Sequence, residues 1–372
     1  MPAHRTLYLH VGHGKTGSSY LQSAFAEQRE QLSALGIDYP LTPQELLDAT
    51  TSGRISSGNP SHLLYLEPQS LPIGSGHLLF SFENFLEAFL EGRVDRLDAF
   101  CEYQGITDTR ILLFTRDPIS HLCSEYQQHI KRNGATFSLD EYTEIYDMPE
   151  RVAAFLRLLG PRADTELTVL NYSRRSGDML RPVEQWLGIP DDTLFVSHRD
   201  TINRSLTPTE LVFARELNLR LGHTSQDIIA DPLCHQLPNV AVAELRPGVE
   251  LQQRVCDRLA PAMREVDLVV GQAQSYQRDI APGAAVDDAA LALSREQIGV
   301  IADGLSSDIR RLDERIAELE QAYAELSEVH AFLVERWERT LRSRAGRSKV
   351  AQSKPLQALR GRFGSAPPGG SD

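Results

Sequence analysis

The sequence predicts an α/β domain on a central parallel sheet, followed by one long amphipathic helix. Three observations carry this. Apolar runs at 7–11, 77–82 and 110–115 alternate with segments of helical periodicity, the pattern of strands buried on both faces between crossover helices. The first run leads straight into a loop of Gly and small hydroxyl residues and then a helix, within YLHVGHGKTGSSYLQ at 8–22. Far downstream, Leu305, Leu312, Leu319, Leu326 and Leu333 recur every seven residues, with Ile309, Ile316, Tyr323, His330 and Trp337 between them.

The bulk properties bound the reading. A chain of 372 residues, 41% hydrophobic, has room for a large α/β domain and an appendage. No apolar run approaches the roughly 20 residues that cross a bilayer. The first run is interrupted by His10 rather than forming a signal sequence, so the expected location is the cytoplasm. Cys101, Cys123, Cys234 and Cys256 lack CxxC spacing, which speaks against a disulfide framework or a zinc site. A net charge of -13 speaks against a nucleic-acid partner. A polyanionic ligand would therefore need a local basic site.

Taken in order, the loop after 7–11 opens a helix predicted over 17–35. GIDYP is a short strand closed by Pro40. Residues 41–76 carry the breaks Asn59-Pro60 and Leu71-Pro72 and read as loops around a short helix, the expected substrate loops. The strand at 77–82 ends on Glu83, and a helix over 84–104 breaks near Gly92. The strand at 110–115 delivers Arg116-Asp117-Pro118, with Asp117 as helix cap, Pro118 in the first turn and Asn133-Gly134 as the stop. A helix at 149–159, a strand at 166–171 and a helix at 178–187 follow. Thr207, Pro208 and Glu210 form a capping box, 226–247 reads as loop, and 249–276 is helical.

Domain limits follow from these changes: an α/β domain over 1–280, a linker over 281–302, a heptad helix over 303–341 and a basic, disordered tail over 342–372. The helix suits a homo-oligomeric coiled coil. Val329, Phe332 and Val334 widen its stripe, so packing back on its own domain is the alternative. The tail carries Arg342, Arg344, Arg347, Lys349, Lys354, Arg360 and Arg362 with no acid before Asp372, a candidate for peripheral contact with an acidic membrane face.

The loop carries the chemistry. Gly14 and Gly17 allow tight bending, Lys15 adds charge, and Ser18 and Ser19 add hydroxyl donors at a helix N-terminus, so the stretch points toward an anion. Gly14, Lys15 and Thr16 match the second half of the Walker A loop, whose first Gly is replaced by Leu9. The expected architecture is a three-layer, P-loop-like domain. KTGSSYLQ resembles the loop of sulfotransferases that binds the 5′-phosphosulfate of 3′-phosphoadenosine-5′-phosphosulfate (PAPS).

A second stretch, ILLFTRDPISHLCSEYQQHIKRNG, resembles the same family's 3′-phosphate motif. There an Arg after the strand and a Ser eight residues later grip the phosphate, matched here by Arg116 and Ser124. A Ser on the second helical turn can face back to the strand end, so fork and hydroxyl can hold one phosphate. His121 stands where many relatives carry a basic residue.

By the same resemblance, Tyr172 after the strand at 166–171 lies near the adenine. Asn203 and Arg204 in NRSLTP, which looks like a segment of bacterial carbohydrate sulfotransferases, close over the nucleotide. The likeness spans about 5–276. It implies PAPS as co-substrate without a metal, a carbohydrate or polysaccharide acceptor, Lys15 as the stabiliser of leaving charge and Glu83 as base. His13, His62 and His121 are alternative bases.

Two rival readings remain open from the residues. A P-loop kinase would use Gly14-Lys15-Thr16 on ATP, with Mg²⁺ held by Thr16 and Asp117. A non-catalytic scaffold would act through the heptad helix and the tail.

Overall fold

Strands β1 (Thr6–Val11), β2 (Ile37–Asp38), β3 (His77–Phe82), β4 (Asp108–Thr115) and β5 (Thr165–Asn171) pair in the order β2-β3-β1-β4-β5, all parallel. The computed structural model describes residues 4–50, 58–74, 76–174, 178–196, 204–283 and 292–345. Alternation along each strand sends side chains to two cores. Leu7, Leu9, Val11, Phe80, Ile111 and Leu113 face one of them. Tyr8, Leu79, Leu112 and Phe114 face the other. The protein is thus an α/β fold around a parallel sheet covered on both faces.

Helices α1 (Ser18–Glu27), through Leu21, Ala24 and Phe25, and α9 (Leu180–Leu187), through Val183, Trp186 and Leu187, fill the second core. The first core takes α5 (Val94–Gln104), α6 (Pro118–Asn133), α8 (Met148–Leu159) and α12 (Val249–Val270). Its fully buried aromatics Phe85, Phe89, Phe100, Tyr126 and Phe155 each contribute on the order of 2 kcal/mol of burial free energy. No helix among the described residues is long and apolar enough to cross a membrane.

Several local readings differ from the structure. The first helix stops at Glu27 and restarts as α2 (Arg29–Ala34), because Gln28 leaves helical geometry. Residues 139–145 form a helix, α7 (Leu139–Ile145), behind a Ser138/Glu141 capping box. The stretch read as loop contains a π-turn at Gln226–Ala230 and the helix α11 (Asp231–Gln236). The helix expected to run to 276 ends at Val270, where Gly271 breaks it.

Asp117 does not cap α6 with its side chain. Its carboxylate accepts from Arg174 (2.6 and 3.1 Å), Asn171 Nδ2 (2.9 Å) and the Gln277 N–H (3.0 Å). The cap comes from Asp279, which accepts from the Ile119 and Ser120 N–H groups at 3.1 and 2.8 Å and from the Ser120 hydroxyl. A carboxylate 160 residues away satisfies the orphan donors of the first turn.

The chain divides into two compact units, Met1–Leu305 and Ser306–Asp372. The long helix α13 (Arg295–Ala345) begins inside the segment expected as linker. Val300 and Ile301 are buried in the first unit's core, and Gln297 Nε2 donates to Glu210 Oε1 at 2.8 Å. In the second unit the heptad side chains are exposed. The basic tail, apart from the backbone of its first residues, lies outside the described residues.

Arg204 and Glu210 form the most deeply buried ion pair among the described residues, with side chains 4% and 0% exposed. The two terminal guanidinium nitrogens, Nη1 and Nη2, donate to the carboxylate at 2.7 Å. Glu210 also completes the capping box at the start of α10 (Pro208–Leu221). Removing one partner leaves an uncompensated buried charge. Arg204→Ala is therefore expected to cost about 3–5 kcal/mol. Urea unfolding of the variant measures this, and a loss below about 1 kcal/mol would show that water reaches the pair.

Candidate functional site

The order β3-β1-β4 brings three strand ends together. Val11 pairs with Phe82 on one side and with Leu113 on the other, so the Gly12–Gly17 loop leaves the sheet between Glu83 and Arg116. The chain's two crossover directions diverge at β1, and the crevice beyond the carboxyl ends at such a point is where open α/β sheets take ligands.

Close approach explains the loop's composition. A side chain at Gly12 would stand 2.7 Å from Ser18 Oγ and 2.9 Å from Glu83 Cα. Gly17 has φ +84°, and a Cβ there would lie 2.6 Å from the Met179 thioether and 3.1 Å from Tyr172 Cε2. Lys15 itself takes φ +66°, a conformation costly for a side-chain residue and held by its surroundings. The Gly14 carbonyl accepts from His121 Nε2 at 2.8 Å, and the Lys15 carbonyl accepts from Arg116 Nη1 at 3.0 Å.

The two sequence motifs thus meet. Arg116 touches the Lys15 backbone and lies 5.5 Å from the Tyr172 ring centre, a cation–π contact. Lys15 Nζ donates to Gln128 Oε1 (2.7 Å), one helical turn beyond Ser124, so Ser124 and Gln128 share the face of α6 along which Lys15 runs. The Ser124 hydroxyl and the remaining Arg116 donors have no side-chain or backbone partner among the described residues. Glu83 lies beneath the loop, its Oε1 3.2 Å from where a Gly14 Cβ would be, and its charge acts favourably on Lys15.

Thr16 is buried, and its hydroxyl donates to the His13 carbonyl at 3.0 Å. Ser18 is buried with its Oγ unpartnered, whereas Ser19 stands half-buried in the first turn of α1. Beside this turn opens a cavity of about 460 Å³ lined by Tyr20, Met179, Arg181, Asp191 and Phe195. Met179 and Gln128 had no place in the sequence reading. Gln128 could have been found as the next residue on the Ser124 face, while Met179 reaches Gly17 only through the tertiary fold.

One expected ligand has other partners. Arg204 donates to Glu210 and to the carbonyls of Leu237, Ser205 and Leu233, so its five N–H groups are engaged inside the fold and it cannot hold a phosphate. Asn203 lies outside the described residues.

The alternative bases fare unevenly. His62, half-buried in a π-helical turn at Ser61–Tyr65, is hydrogen-bonded to Ser70 at 2.9 Å. His13, within the Gly12–Gly17 loop, and His121, packed against it, are both buried from solvent. The Tyr146 hydroxyl donates to His121 Nδ1 at 3.0 Å, which leaves Nε2 as the donor to Gly14 and sets the tautomer. His13 Nδ1 lies 3.2 Å from the same Nε2. These rings act as neutral pins that hold the loop's backbone.

The atoms a Mg²⁺-dependent kinase would use are committed elsewhere: Thr16 to the His13 carbonyl and Asp117 to Arg174, Asn171 and Gln277. Among the described residues no cluster of His, Cys, Asp and Glu is arranged to hold a metal ion. No family model matches the chain, and no curated protein matches it.

Burial pushes His10 and His121 down to about 3, and burial together with the neighbouring His121 pushes His13 well below its ordinary value. In the unfolded chain these rings titrate near 6.5. Between about pH 6.5 and 3 the unfolded state therefore binds protons that the folded state refuses. Stability is full above pH 6.5 and falls on acidification by about 1.4 kcal/mol per pH unit for each ring. His121→Gln, whose amide can still donate to Gly14, is expected to lower that slope by about one proton's worth. Unfolding free energies measured between pH 6 and 4.5 check it, and an unchanged slope would mean His121 protonates freely in the folded protein.

Proposed function

We propose that the chain is a PAPS-dependent sulfotransferase with a P-loop-like domain, and that its acceptor is a hydroxyl or amine of a carbohydrate or polysaccharide. One observation carries the reading: Lys15 and Arg116, from the two phosphate-binding motifs, share a single crevice and touch through the Arg116 to Lys15 hydrogen bond of 3.0 Å. A nucleotide with separate 3′ and 5′ phosphates calls for two cationic groups in such a relation. The acidic chain gathers both at one strand-end crevice.

The residues present suit such a ligand. The N–H groups at the start of α1, Lys15 and the Ser18 and Ser19 hydroxyls would take the 5′-phosphosulfate, and the unpartnered Ser18 Oγ is a buried group in want of a partner. Arg116 and Ser124 would hold the 3′-phosphate. The nucleoside would lie toward Tyr172, whose ring and the Met179 thioether flank Gly17 and offer a face for a flat base.

Sulfuryl transfer needs in-line placement and neutralised leaving charge, as phosphoryl transfer does. Lys15 supplies the charge, and Glu83 next to Gly14 is placed to accept the proton of an acceptor hydroxyl. The kinase reading loses its metal ligands to Asp117's and Thr16's other partners. Beyond the catalytic unit, the exposed heptad helix is read as a coiled-coil strand.

Calorimetry with 3′-phosphoadenosine-5′-phosphate in metal-free buffer tests this directly. Wild type is expected to bind at micromolar concentration, and Arg116→Ala to lose binding by about 10- to 100-fold, the worth of a charge-assisted contact. Binding only of ATP with Mg²⁺ would overturn the proposal. The pH dependence adds a second check. Burial lowers the Lys15 pKa to about 8, with Glu83 opposing the shift. An anion binds the protonated form, so affinity should fall as pH rises past about 8, with up to one proton taken up per nucleotide bound. Titrations at pH 7 to 9 in buffers of different ionisation heat read that proton, and Lys15→Ala should abolish it.

A further inference from the structure

The second unit presents an apolar seam that its own described residues leave uncovered. In residues 306–345 the side chains of Ile309, Leu312, Ile316, Leu319, Tyr323, Leu326, Leu333 and Trp337 are between 51% and 73% exposed. With His330 between Leu326 and Leu333 their spacing alternates three and four, so they form one stripe along roughly 42 Å of helix. The remaining faces are mostly polar, with Val329, Phe332 and Val334 as exposed apolar exceptions, and carry the pairs Arg315 to Glu318 at 2.7 Å, Arg339 to Glu335 at 2.9 Å and Gln321 to Glu325 at 3.1 Å. Such a helix alone in water would leave its seam in solvent, and a stripe this regular fits another helix of the same period.

We infer that the partner is a second copy of this chain, joined as a parallel, in-register, two-stranded coiled coil over 306–345. Three features of the seam select this arrangement. Ile309 and Ile316 occupy the first core position of their heptads and Leu312, Leu319, Leu326 and Leu333 the second, the β-branched and leucine combination that favours two strands.

His330 is the one imidazole at a core position. In parallel register it meets its own copy, whereas an antiparallel pairing sets it against Leu319. A single polar core residue matched to itself fixes register.

The flanking charges agree. In parallel register Arg315 faces Glu320 of the other strand, twice per dimer, and Val329 meets Val334 as an apolar flank. The antiparallel arrangement opposes Arg315 to Arg336 instead. The parallel form sets Asp308 near Asp313, a repulsion moderated because Asp308 is already paired with Arg311 on its own helix. Aromatic side chains at Tyr323 and Trp337 then stack copy against copy along the seam.

The test uses the full chain. Sedimentation velocity at micromolar concentration is expected to return twice the chain mass, and the double variant Leu319→Asp with Leu326→Asp the single mass. These positions are exposed and lie outside the first unit's core, so the variant keeps its fold. A second variant reads direction. Leu312→Cys is expected to cross-link nearly completely under mild oxidation, because the parallel form sets the two introduced thiols side by side. An antiparallel dimer holds them far apart along the axis. A wild-type monomer, a trimer mass, or a dimer of Leu312→Cys that does not cross-link would each overturn the inference. None of these outcomes depends on nucleotide binding.

Discussion

Parallel pairing of β1 with both β3 and β4 sets Val11 beside Phe82 and Leu113, so three chain segments leave the sheet within about 10 Å of one another. The candidate site depends on this register. It places the Gly-rich loop between a carboxylate, Glu83, and a guanidinium, Arg116. A slip of one residue in either pairing would turn those side chains to the opposite face. Below the sheet ends, the buried His121 and Tyr146 hold the Gly14 carbonyl, and Arg116 holds that of Lys15. The strained Lys15 backbone is thus fixed from both sides before any ligand arrives. Pre-organisation of this kind is what an anion site needs, since donors that need not reorganise give up little on binding.

The same economy shows in the charge. A chain of net charge -13 attracts no polyanion in general. Arg116, Lys131 and Arg132 all act electrostatically on Lys15, although Lys131 is bonded to the Arg204 carbonyl and Arg132 is paired with Asp231. That concentration, not the total, sets what the crevice can bind. Neutral histidines beneath the loop add hydrogen bonds without adding charge, which leaves the field to the lysine and the arginine.

Much of this was legible in the sequence because its signals are local. Strands β1, β3 and β4 announce themselves as apolar runs. Gly134 and Thr207 mark a helix stop and a helix start, and the heptad leucines mark α13. The meeting of Lys15, Glu83 and Arg116 followed from the general habit of parallel sheets. Hidden features rest on distant partners. Asp279 caps α6 across 160 residues, which turned Asp117 from an expected cap into the hub of a network with Arg174 and Asn171. Arg204 was misread for another reason: arginines are mostly solvated, and only the burial of Glu210 against it reveals a structural pair.

The proposed function requires that two anionic groups of one nucleotide be held separately, one by the Lys15 loop and one by Arg116 with Ser124. Comparing 3′-phosphoadenosine-5′-phosphate with adenosine 5′-phosphate in metal-free equilibrium binding isolates the second contact. Loss of the 3′-phosphate is expected to weaken binding by about 10- to 100-fold in wild type, and the two ligands are expected to bind alike in Arg116→Ala. Equal affinity of the two nucleotides for the wild-type protein would contradict it.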